Sequence, residues 1–152
     1  MTRIDFYGLP EVRPEARERF AVRLLTRAWR EGLRSVLLLP DAAATARLDA
    51  ALWATPTAFL PHATAASDDA ASVPILLATP RELAPGALLG DGAGLLVNLT
   101  DAVPEGFAAF ERVAEIVCSD EEMRARARAQ YRYYRERGYP LDYHELRGRG
   151  TS

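Results

Sequence analysis

Two histidines, one cysteine and a few carboxylates near strand ends are the residues from which hydrolytic, redox or metal chemistry would have to be built. His62 and His144 are the whole histidine complement and Cys118 is the lone thiol. None of them falls into a Cys-x-x-Cys or His-x-x-x-His spacing, so the sequence supplies no structural metal site. Cys118 closes the apolar run Ile116-Val117-Cys118, where a thiol packs as a small hydrophobe rather than acting as a nucleophile. Asp5, Asp41 and Asp101 lie where α/β enzymes place carboxylates, but capping and turn formation account for Asp41 and Asp101. Gly90-Asp91-Gly92-Ala93-Gly94 has the look of a phosphate loop. A dinucleotide loop follows a strand and opens a helix, so that backbone N–H groups meet the pyrophosphate. Here the glycines precede the apolar run at Leu95, and the chain contains no lysine with which to complete a P-loop. These residues point to no catalysis, no metal and no cofactor.

The cationic residues carry more. All 19 positive side chains are arginine, against 21 acids, for a net charge of −2, so bulk electrostatics would not drive the molecule onto nucleic acid. The distribution is uneven: eight arginines from Arg124 to Arg149 face only Glu136, Asp142 and Glu145. At about 100° per residue, Met123, Ala127, Gln130 and Tyr134 share one face of a C-terminal helix, with Arg124, Arg128 and Arg135 on the neighbouring one and Tyr131 at the seam. Guanidinium forks beside an aromatic ring suit an anionic partner. A solvated arginine face, with no partner, is the usual fate of such charged helix residues. Direct single-stranded nucleic-acid binding through this helix is the alternative, opposed by the net charge and by the lack of a run of aromatics for base stacking. Trp53 and Phe59 are large aromatics that serve either as core or, if exposed together, as anchors for a protein partner.

Alternating elements position these residues. Ile4–Tyr7 reads as a first strand. A helix follows from Pro14, with Phe20, Leu24 and Ala28 at helical spacing, and stops at Gly32. Ser35–Leu39 is a short continuous apolar run, the pattern of a strand covered on both faces. Asp41 caps the next helix, whose stripe of Ala44, Leu48, Ala51 and Leu52 runs up to Trp53. Thr57–Leu60 reads as a short edge strand, followed by a loop over 62–72. Pro74–Ala78, Gly94–Leu99 and Ala114–Cys118 are further strands, with a helical segment over 106–112. The final helix opens on a capping box, Ser119 with Glu122, and ends at Gly138 and Pro140. This order predicts an α/β domain with a doubly wound, mostly parallel sheet and helices on both faces, a nucleotide-binding type of fold without the phosphate loop. It is expected as a single domain over 1–147 with a flexible tail at 148–152. No stretch approaches the ~20 apolar residues of a membrane span, and the opening lacks a signal peptide, so a cytoplasmic protein is expected.

The sequence resembles the DNA polymerase III chi subunit family over nearly its whole length. The matching stretches are Phe6-Tyr7, Ala28-Trp29-Arg30-Glu31-Gly32, Arg47 to Trp53, Phe59-Leu60-Pro61-His62, and Arg124 to Gly138. Leu-Asp-x-x-Leu-Trp followed by Phe-x-Pro-His is the most specific part. The resemblance implies a non-catalytic replication adaptor that binds the acidic C-terminal tail of the single-stranded-DNA-binding protein, ending in Pro-Phe, and links it to the clamp-loader complex, so that contact with DNA is indirect. It maps tail binding onto Arg124, Arg128 and Tyr131, with Val117 and Gly138 nearby: Arg128 for the terminal carboxylate, Arg124 for upstream acids, Tyr131 as pocket wall. It maps a second face, at Trp53 and Phe59, onto the psi subunit or a psi-like tether, and onto a Rad3/XPD-like helicase.

Overall fold

The computed structural model describes residues 2–54, 60–65, 73–83 and 94–146. Seven parallel strands form one sheet: β1 (Arg3–Gly8), β2 (Ser35–Leu38), β3 (His62–Thr64), β4 (Ile75–Ala78), β5 (Leu95–Asn98), β6 (Arg112–Val117) and β7 (Leu141–Glu145). Their spatial order is β3-β4-β2-β5-β6-β1-β7. The helices are α1 (Glu15–Arg30), α2 (Ala42–Ala54), the short α3 (Pro80–Leu83) and α4 (Glu121–Glu136). The expected doubly wound α/β fold is what forms.

The central strands are apolar apart from Ser35 and Asn98 because both of their faces are covered. β2, β4 and β5 are buried at every position. Leu77, Leu37, Val97 and Ala114 stand in register across the sheet and join α1 and α2 through Ala21, Leu25, Leu48 and Leu52 in one core. The alternate row, Leu76, Val36, Leu96, Val113 and Ile4, points the other way and packs with Ala127 and Tyr134 of α4 in a second core. A two-residue period in the strands thus divides the apolar side chains between two layers.

The two long helices α1 and α4 end alike. After α1, Gly32 takes φ +79° and Leu33 N–H bonds back to Ala28. After α4, Gly138 takes φ +80° and Tyr139 N–H bonds back to Tyr134. Glycine is favoured there because other residues rarely enter the left-handed region.

Several expectations need correction. The expected capping box at Ser119 and Glu122 does not form; the N-cap of α4 is Asp120, whose carboxylate accepts from Met123 N–H at 3.0 Å. The Ser119 hydroxyl instead donates to Leu9 O at 3.1 Å and accepts from Arg124. The segment 106–112 holds one 3₁₀ turn, Phe107–Ala109, before β6 begins at Arg112. One sheet edge is His62–Thr64, at the start of the stretch expected as a loop. Most of the expected strand Thr57–Leu60 lies outside the described residues, as do 66–72 of that loop, Gly90 to Ala93 and the tail from 148. β7 was not foreseen. Cys118 is buried just beyond β6, as its apolar neighbours imply. Among the described residues, no helix is long and apolar enough to cross a membrane.

Candidate functional site

A groove of about 670 Å³ opens between α4 and the β6-β1-β7 end of the sheet. Sheet register builds its base: Phe6 of β1 sits beside Tyr143 of β7, and Gly8 lies between Val117 of β6 and Glu145 of β7. Because α4 packs on this face through Ala127 and Tyr134, its next stripe of side chains overhangs the opening. Phe6 is fully buried and touches both flanking tyrosines. Its ring lies 5.3 Å from that of Tyr131, tilted, and 6.2 Å from that of Tyr143, nearly parallel. Val117 and Ala127 complete an apolar base, so the interior suits an aromatic or aliphatic group.

Arginines form the rim. Arg124, Arg128, Arg132 and Arg135 all line the groove and all are exposed. Arg124 donates to the Ser119 hydroxyl at 2.8 Å. Arg128 stands 3.7 Å from Glu121, both largely in solvent, a separation that contributes little. Arg132 and Arg135 take part in no ion pair among the described residues. Among the described residues, Glu145 is the single acid lining the groove. Burial, and then the charge of Glu145, hold the Tyr143 phenol above its ordinary pKa. An apolar slot bordered by exposed guanidinium groups can seat a ligand that presents a ring and several carboxylates at once.

Of the residues singled out in the sequence, Arg124, Arg128, Tyr131 and Val117 meet in this groove. Gly138 does not line it; its left-handed backbone ends α4. Phe6, Arg132, Tyr143 and Glu145 were not assigned to the site by sequence reasoning. The alternation Leu141-Asp142-Tyr143-His144-Glu145 was the available signal for Tyr143 and Glu145.

Beneath the groove lies a polar cluster. Glu115 of β6 is buried, and its carboxylate accepts from Asn98 at 3.0 Å and from the Tyr134 hydroxyl at 2.7 Å. Burial pushes its pKa up to about 7. Burial likewise pushes the Tyr134 phenol well above its ordinary value, with the Glu115 charge adding to the effect. This network ties β5, β6 and α4 together.

At the opposite end of the sheet, Trp53 in the last turn of α2 is 56% exposed, and its ring packs against that of His62 at 4.3 Å. His62 is buried between two oxygens: Asp49 Oδ1 stands 3.2 Å from Nε2, and Leu60 O accepts from Nδ1 at 2.6 Å. The Leu-Asp-x-x-Leu-Trp and Pro-His motifs therefore converge on one spot. Phe59 lies outside the described residues. Among those residues, no group of three histidine, cysteine, aspartate or glutamate side chains is placed to hold a metal ion.

Comparison with known proteins places this architecture. A crystal structure of T4 UvsW shares the fold, with a TM-score of 0.67 at 7% identity, covering 95% of this chain and 41% of that one. In sequence, the chain is 41% identical to DNA polymerase III subunit chi of Pseudomonas aeruginosa over 147 residues, 96% of this chain and 98% of that protein. It is 27% identical to the chi subunit of Escherichia coli K12 over 126 residues, 82% of each. The family model for the DNA polymerase III chi subunit, HolC, matches residues 1–142, a span that takes in every strand but the end of β7 and all the helices. By that match and the full-length likeness to the Pseudomonas protein, the chain belongs to the DNA polymerase III chi subunit family, accessory subunits of the replicative polymerase.

Proposed function

We propose that the chain is a non-catalytic adaptor whose α4 groove holds the acidic C-terminal tail of the single-stranded-DNA-binding protein while its far end joins the clamp-loader complex. The observation that supports tail binding is the pairing of an aromatic slot with four exposed guanidinium groups along one rim. A peptide ending in Pro-Phe has a matching form: the terminal ring fills the slot over Phe6 and Val117, Arg128 pairs with the terminal carboxylate, and Arg124 meets the acids upstream. The clamp-loader contact, a psi subunit or psi-like tether, is assigned to the exposed ring of Trp53. Six strand spacings separate the two sheet edges, about 30 Å at the usual inter-strand distance, enough for both partners to be bound together.

Fluorescence anisotropy with a labelled tail peptide tests the reading. Dissociation constants on the order of micromolar are expected. Raising salt should weaken binding, and Arg128→Ala should weaken it at least tenfold, since a charge-assisted hydrogen bond is worth about 1.5–3 kcal/mol. Binding indifferent to salt and to that substitution would remove the mechanism. Tight binding of single-stranded DNA without the partner protein would favour direct nucleic-acid recognition by the same arginines.

A further inference from the structure

We infer that Tyr143 and Glu145, neighbours on one face of β7, set the specificity of the groove: Tyr143 is the second wall of the ring slot, and Glu145 keeps carboxylates off the β7 side, confining a peptide's acids to the α4 rim. The inference rests on the reading of the groove as an acidic-tail site and names which of its residues choose the peptide.

An arginine rim alone would accept an acidic peptide in many registers, because four guanidinium groups along one helix present similar attraction at each turn. The opposite wall is different in kind. Tyr143 is 48% exposed, yet its ring is parallel to that of buried Phe6 within 11°, so the exposed side of Tyr143 is turned to the opening that Tyr131 borders from α4. A ligand ring entering there meets aromatic surface from both elements. The Tyr143 hydroxyl and the Glu145 carboxylate both lie directly above Gly8. A Cβ at that position would stand 2.6 Å from the Tyr143 oxygen and 2.8 Å from Glu145 Oε2. Glycine at this point of β1 thus lets the pair lie flat against the sheet. The Glu145 carboxylate, which lines the groove, can accept from peptide N–H groups and repel a further acid. The groove is consequently cationic along α4 and anionic at β7, a polarity that orients a chain laid along it.

The test uses the full chain and labelled acidic peptides in fluorescence anisotropy: one ending in Pro-Phe, one with the terminal Phe replaced by Ala, and one with an Asp in place of the Pro. Tyr143→Ala should weaken the Pro-Phe peptide about tenfold but the Ala-ended peptide much less, while Tyr143→Phe retains most of the affinity. Glu145→Gln should strengthen the Asp-containing peptide about tenfold and the Pro-Phe peptide only a few-fold, narrowing the ratio between them. Gly8→Ala, which displaces both side chains without deleting either, should weaken the Pro-Phe peptide and narrow that ratio too. Equal losses for both peptides in Tyr143→Ala, or an unchanged ratio in Glu145→Gln, would overturn the inference even where binding keeps its dependence on Arg128. If the Pro-Phe peptide fails to bind the unaltered chain, the tail-binding reading falls and this inference with it.

Discussion

Removing the ionisation of Glu115 should abolish a pH dependence of stability that this one residue builds into the fold. Glu115 sits mid-strand in β6, buried, with Asn98 and Tyr134 donating to its carboxylate. Burial raises its pKa from 4.5 to about 7, and the two hydrogen bonds together with Arg17 offset only part of that rise. In the unfolded chain the carboxyl loses its proton near 4.5, but in the folded protein only near 7. Between those values the folded state binds more protons, so stability falls as pH rises and levels off above about 7. A rise from 4.5 to about 7, at about 1.4 kcal/mol for each pH unit, amounts to about 3 kcal/mol. Glu115→Gln has no such proton to lose. Urea unfolding followed by far-UV circular dichroism at pH 5 and pH 8, at matched ionic strength, measures the difference between the two chains. The variant should gain on the wild type by about 2–3 kcal/mol between the two pH values. Every other titrating group contributes alike to both chains and cancels. A difference constant to within about 0.5 kcal/mol would refute the reasoning, since it would mean that Glu115 is hydrated and ionised at both pH values, as it is in the unfolded chain.

Asp120→Ala removes the side-chain acceptor for Met123 N–H at the start of α4, and should cost about 1 kcal/mol, read as a fall of about 2–4 °C in melting temperature for a chain of this size; Ser119→Ala should cost less at the helix start, because its hydroxyl is engaged with Leu9 and Arg124. Trp53→Ala should leave tail-peptide affinity unchanged within experimental error, since Trp53 lies at the other end of the sheet, while a pull-down of clamp-loader components loses its signal.

The interior strands were legible because a strand covered on both faces is apolar at nearly every position, and Val36-Leu37-Leu38 and Ile75-Leu76-Leu77 satisfy that without reference to anything distant. β7 escaped notice for the complementary reason. It is an edge strand with polar residues along Leu141-Asp142-Tyr143-His144-Glu145, none of them fully buried. What makes it a strand is parallel pairing to β1, a partner at the other end of the chain, and no local signal reports that. The cap of α4 was ambiguous locally, since Ser119 and Asp120 are both good caps; tertiary contact with Leu9 decided it. The site divides the same way. Arg124, Arg128 and Tyr131 share a helix, so counting at a fixed angle groups them. Phe6 and Tyr143 join them only through the register of β1 with β6 and β7.

Both candidate partner surfaces occur where the helical cover of the sheet ends, and the physics of edges explains why. An open strand edge invites unwanted pairing, and natural sheets blunt it with short strands, charge or covering groups. Here β3 is only three residues long, and its side chain His62 is capped by the Trp53 ring; β7 carries Asp142 and Glu145, and Arg3 pairs with Asp142 at 2.7 Å. These devices put an exposed aromatic at one end and a charged, aromatic groove at the other. The features that restrain indiscriminate strand addition are therefore the same ones that offer selective contacts to side chains. On the proposed reading a partner at either end is chosen by rings and charges rather than by backbone pairing, and substitutions at Trp53, Arg128 or Tyr143 should then alter partner choice while leaving the central sheet, made of β2, β4 and β5, intact.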